Sequence, residues 1–233
     1  MAQKINYLVQ DSDALLKAIT NHRAAMEEKG FTEERLSTFV SAKDNLKQKE
    51  VAQQKAVKFT DDKTAEQDVL MKNIHDAIVS LRNAAKSAYI DNPQKLNIFQ
   101  IGETIPTSVT KMRPMCEYLT GVIAAESAVL LKNGLSQEDL DILGTSYNNL
   151  ITADADQENA KKLQNAALLV RDKASAVLRE QVTKTRKFAL ACFAKSPEIL
   201  VEFEPIPKGR GKGKEDDEDE TPPPPDGTTP PAQ

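Results

Sequence analysis

Gly30-Phe31-Thr32-Glu33-Glu34-Arg35-Leu36 returns 104 residues later as Gly134-Leu135-Ser136-Gln137-Glu138-Asp139-Leu140. Both stretches read as a joint between two helices. The glycine supplies the left-handed residue that ends the first helix. Thr32 and Ser136 cap the second by accepting a backbone N–H bond, and Asp139 adds an acid three residues after its cap, as in a capping box. Phe31 with Leu36, and Leu135 with Leu140, have the spacing of a hydrophobic staple, which fixes the angle at which the chain turns. Each joint therefore predicts an antiparallel helix pair.

The same offset extends outward from the joint. Residues 15–99 align with 119–203 without a gap, and 17 of the 85 positions are identical, where unrelated sequences of this composition give roughly 6%. The matches include Leu15/Leu119, Ile19/Ile123, Arg82/Arg186, Pro93/Pro197 and Phe99/Phe203, so the pattern reads as an internal duplication. Each copy divides into three expected helices. The first lies near 11–28 and 114–132, with Pro114 in a first turn that needs no N–H from it. The second runs to about 58, and its counterpart pauses near Thr152–Asp156. The third covers about 63–90 and 158–194, on a 3.6-period stripe of Ile74, Ile78, Leu81, Ala85 and Ala88.

The third helix stops before Asn92-Pro93 and Ser196-Pro197, because a residue preceding proline avoids the α region. Asn92 and Ser196 are expected to cap short turns, whose Leu96 with Phe99 and Leu200 with Phe203 fold back over the end of the bundle. The expected fold is all-α: a helical bundle of two tandem three-helix repeats, 1–101 and 102–204, packed together as one bundle. Residues 205–233 are expected to form a disordered tail.

Those endings, Asn-Pro-Gln-Lys-Leu-Asn-Ile-Phe-Gln-Ile-Gly and Ser-Pro-Glu-Ile-Leu-Val-Glu-Phe, precede a basic, proline-containing stretch. Together they resemble a group of bacterial duplicated all-helical bundle proteins with no assigned activity. The resemblance covers about residues 11–214 and implies a helical fold and nothing about function.

Composition narrows the function classes. Aromatic residues make up 5% of the chain, with no tryptophan, which suits helices rich in straight-chain residues. The net charge of −4 is uneven: residues 205–233 hold 4 basic and 7 acidic side chains, leaving 27 basic against 28 acidic elsewhere. A near-neutral body is a poor electrostatic surface for nucleic acid or anionic lipid. Cys116 and Cys192 are too few for a metal cluster and read as buried thiols. The first residues lack a signal-peptide core, and the longest apolar runs, 122–131 and 188–194, are too short to span a bilayer. A cytoplasmic protein is the expectation.

Few residues invite chemistry. The positions three before His22 and His75 are Ile19 and Lys72, so the Glu-x-x-His pairing of helical metal sites is missing. No phosphate loop or nucleophile elbow occurs; no catalytic residue, cofactor or metal is assigned. Three polar types recur in both copies: Asn45/Asn149, Gln53/Gln157 and Arg82/Arg186. They read either as solvated flanks of the core stripe, with arginine stems covering apolar surface, or as a small-molecule or catalytic site at the repeat interface. His22 and Glu126 interrupt the first-helix stripe at corresponding points and are candidates for a cross-repeat polar pair. In the tail, Lys208, Arg210, Lys212 and Lys214 could bind nucleic-acid phosphates, although six consecutive acids follow them. The preferred reading is a non-catalytic scaffold or interaction module whose partner is a protein.

Overall fold

The computed structural model describes residues 2–207. They form α1 (Ala2–Asn21), α2 (Arg23–Glu28), α3 (Glu33–Ala88), α4 (Pro93–Ile98), α5 (Val109–Lys132), α6 (Gln137–Cys192), α7 (Pro197–Leu200) and a 3-10 turn at Val201–Phe203. Among the described residues there is no strand, so the fold is all-α. The basic tail positions 208–214 lie outside the described residues.

The largest departure from expectation is in the long helices. The expected division of α3 near 58–63, and the expected pause of α6 at Thr152–Asp156, are both absent. Each helix runs unbroken for 56 residues, and α6 starts and ends 104 residues after α3. The polar residues that suggested breaks are satisfied inside the helix. Thr60, Thr64 and Thr152 each donate to the carbonyl four residues back, at 3.0, 2.9 and 3.1 Å, a bond compatible with helix. Lys63 also pairs with Glu66 one turn on, at 2.7 Å. The recurring sequence of elements is therefore a first helix, one long helix and a fold-back.

The first helices also begin earlier than expected. α1 starts at Ala2 because Ile5 and Leu8 continue the buried stripe of Leu15 and Ile19. α5 starts at Val109, so Pro114 lies inside it rather than in its first turn. Met112, Met115 and Cys116, all buried, extend that helix's stripe. The joints follow expectation. Gly30 and Gly134 have φ of 91° and 100°, and the Leu135 N–H reaches the Leu130 carbonyl at 3.1 Å, closing a Schellman turn. Thr32 and Ser136 accept the N–H groups of Arg35 and Asp139. The Ser136 hydroxyl also donates to Asp139 at 2.7 Å.

The chain falls into two compact units. One joins the residues up to Gly30 with those from Arg186 onward; the other is Phe31–Thr185. The boundaries thus follow contact rather than the 101/102 division of the sequence copies. In the first unit, α1 and α2 meet the end of α6 and its fold-back. The core of the second gathers Ile74, Ile78 and Leu81 of α3, Phe99 after α4, and Leu119, Ile123 and Leu130 of α5. Each unit therefore combines the first helix of one sequence copy with the fold-back of the other.

Within the second unit α3 and α6 run antiparallel. Glu50 lies 3.6 Å from Arg171, and Gln157 donates to Thr64 at 3.2 Å. Moving 14 residues forward from Glu50 to Thr64 moves 14 back from Arg171 to Gln157. Every seventh residue of α3 from Phe39 to Leu81 lies on its inward stripe: Phe39, Leu46, Gln53, Thr60, Gln67, Ile74, Leu81. Its ends are apolar and fully buried, while its middle third is polar. Polar residues in a helical seam fix register and orientation at a cost in stability.

Candidate functional site

The repeated arginines hold the fold-backs. The chain turns after α3 and after α6, and Asn92 and Ser196, disfavoured in the helical conformation by the proline that follows, stand as N-caps of the short helices begun by Pro93 and Pro197. The aromatic residue six beyond each proline then plugs the end of the unit: Phe99 and Phe203 are 0% and 3% exposed. That turn leaves the carbonyl of the phenylalanine without a helical partner, and the arginine seventeen residues earlier supplies one. Arg82 Nε donates to the Phe99 carbonyl at 3.3 Å and Nη1 to that of Glu103 at 2.7 Å. Arg186 Nε donates to the Phe203 carbonyl at 2.8 Å.

The two clamps share the Nε bond and differ at the terminal nitrogens. Arg186 Nη2 donates to Asp11 at 2.7 Å, and the Ile206 N–H donates to the same carboxylate oxygen at 3.0 Å. The position corresponding to Asp11 is Met115, and Arg82 Nη2 is buried with no partner. Burial accordingly pushes the Arg82 guanidinium below its ordinary range. Tyr7 completes the Arg186 clamp by donating its hydroxyl to the Ile206 carbonyl. Sequence reading missed Asp11, Tyr7 and the role of both arginines; the available signal was the shared spacing from Arg82 to Phe99 and from Arg186 to Phe203.

His22 and Glu126 each have partners of their own. They belong to different units, and each is taken up by its local fold-back. His22 Nε2 lies 3.0 Å from Glu202, which also accepts from Asn21 at 3.0 Å. The imidazole meets Phe193 edge-on, with ring centroids 5.6 Å apart. The Asn21 and His22 hydrogen bonds hold the Glu202 carboxyl below the usual carboxylate range. Glu126 accepts from Lys95 and from the Tyr89 hydroxyl. The Lys95 bond is the larger cause of its lowered pKa, while burial and the bond to Glu126 push the Tyr89 phenol up to about 12. The interrupted stripe faces the returning chain, and the place of the acid is reversed between the copies: a first-helix histidine meets an acid in one, a first-helix acid meets a lysine in the other.

The remaining repeated residues do not converge. Asn45 and Asn149 are exposed, and Asn149 bonds Thr145 on its own helix at 3.2 Å. Gln53 is half-buried and Gln157 bridges to Thr64. Asn45 and Arg82 lie 37 residues apart on one continuous helix, about 55 Å at 1.5 Å per residue, too far to share a small ligand. Among the described residues no group of three or more His, Cys, Asp or Glu side chains is placed to hold a metal ion. Cys116 is buried and Cys192 half-buried, both unpaired, and burial pushes both thiols up.

Both long helices also expose apolar side chains: α3 exposes Val51, Phe59, Val69 and Val79, and α6 differs in where its own lie. On the outer face of α6, Leu163, Leu169, Val170 and Val177 are 51%, 63%, 46% and 46% exposed. The corresponding positions on α3 are Phe59, Ala65, Glu66 and Asn73. Of these only Phe59 is a large apolar residue, 42% exposed. Of the described helices, α5 is the one long and apolar enough to cross a membrane by length and composition; core helices pass the same test, and its stripe of Met112, Cys116, Leu119 and Ile123 is buried.

Compared with protein-family models, with curated proteins and with solved structures, the chain matches none.

Proposed function

We propose that this chain is a duplicated, non-catalytic interaction module that engages a protein partner through the outer face of α6. The duplicated unit is a first helix, a long helix and a fold-back, with the two copies exchanging their first helices. The observation that carries the reading is the contrast between the long helices. Both answer to the same seam, the same joint and the same clamp, so the fold makes matching demands on their outer faces. Leu169 and Val170 nevertheless replace Ala65 and Glu66, and exposed apolar residues at helical spacing are the anchors of helix-mediated recognition. The repeated arginines, His22 and Glu126 support the reading from the other side, since their polar groups serve the fold-backs.

The test is photo-crosslinking in cells. A photoreactive residue in place of Val170 is expected to give discrete protein adducts that the same residue in place of Glu66 does not. Equal or absent adducts at the two positions would refute the interaction reading.

A further inference from the structure

The outer face of α6 carries its own complement. Asp156, Leu163, Val170, Val177 and Lys184 recur at every seventh position, a row that stays on one side of a helix and supports supercoiling with a partner helix. Its middle is apolar and its ends are oppositely charged. Asp156, on the flank of α6 toward Lys63 of α3 at 3.8 Å, and Lys184, beside Glu180 at 2.6 Å, are 53% and 63% exposed, and exposed pairs of this kind exchange at little cost. Such a row is self-complementary when two copies run antiparallel about Val170. Leu163 then faces the partner's Val177, Asp156 faces the partner's Lys184, and the two-fold axis repeats both contacts. The corresponding row on α3 reads Ala52, Phe59, Glu66, Asn73, Ser80, with an acid at the centre, where like charges would meet.

Resting on the interaction reading above, we propose that the partner of this face is a second copy of the chain, docked antiparallel along α6 from Asp156 to Lys184. The apolar stretch from Leu163 to Val177 is about 21 Å long, which makes the contact small and the dimer one that exchanges with monomer.

Sedimentation equilibrium of the full chain over about 1 µM to 1 mM tests this. The average mass is expected to climb from 25.7 kDa toward twice that value. Val170→Glu should hold it at the monomer mass at each concentration, with helical circular dichroism unchanged because the site is exposed. Asp156→Lys or Lys184→Asp should each weaken association about fivefold, and the double exchange should recover it. A mass fixed at monomer throughout, a rise indifferent to Val170→Glu, or a double exchange no better than its singles would overturn the dimer. Monomeric protein that still gives Val170-specific adducts of another size would overturn the dimer alone and leave the interaction reading standing.

Discussion

A single carbonyl explains why Arg82 and Arg186 recur. In each fold-back the acceptor common to both is a backbone carbonyl, so the arginine is kept while the residue that offers the carbonyl needs no particular side chain for it. The surroundings then set the cost of losing it. Arg186→Met strands Asp11, whose side chain is 5% exposed, and a buried carboxylate without its cation costs about 3 kcal/mol or more. Arg82→Met removes bonds to two carbonyls and strands no acid, which costs about 1–2 kcal/mol. Urea unfolding of the two variants is expected to rank them in that order; equal losses would show that Asp11 is not held by Arg186. The sequence marks both arginines as repeated, but nothing local in it reveals their partners, because a carbonyl seventeen residues away has no letter of its own.

At the scale of elements the joints were legible and the long helices were not. Gly30 and Gly134 take the left-handed conformation that their place before a capped helix requires. A Cβ on Gly134 would meet nothing within 4 Å, so substitution there is opposed by backbone conformation alone. Gly134→Val is expected to destabilise by about 1–2 kcal/mol, and Gly134→Asn by less, since asparagine tolerates positive φ; thermal melts compare them directly. The continuity of α3 and α6 escaped prediction because Thr60-Asp61-Asp62-Lys63-Thr64 and Thr152-Ala-Asp-Ala-Asp156 are weak helix formers locally. A partner helix, shared hydroxyl bonds and the ion pair at Lys63 override that propensity, and none of these is visible in a window of ten residues. His22 and Glu126 show the same limit in reverse. Their interruption of the stripe was plain, but the partner each residue bonds lies on the returning chain.

For the molecule as a whole, the order of the sequence copies is not the order of packing. Ile74, Ile78, Leu81 and Phe99 of the first copy are covered by α5 of the second. A chain of residues 1–101 alone would leave that apolar surface bare, and burying it is a main source of helix stability. Such a fragment is expected to be monomeric only when unfolded, and to gain helicity together with dimerisation as its concentration rises. Circular dichroism and light scattering on one dilution series would check this, and a cooperatively folded monomer would refute the exchange of first helices. The exchange also bears on ancestry. Two identical chains that traded first helices would display every outer face twice, so a substitution that suited one face would be imposed on the other. A single chain that carries both copies is free of that constraint. On the proposed reading, one chain can hold Val170 where the counterpart is Glu66, so that a single docking row is present instead of two, which would limit association to pairs where two such rows would propagate into filaments.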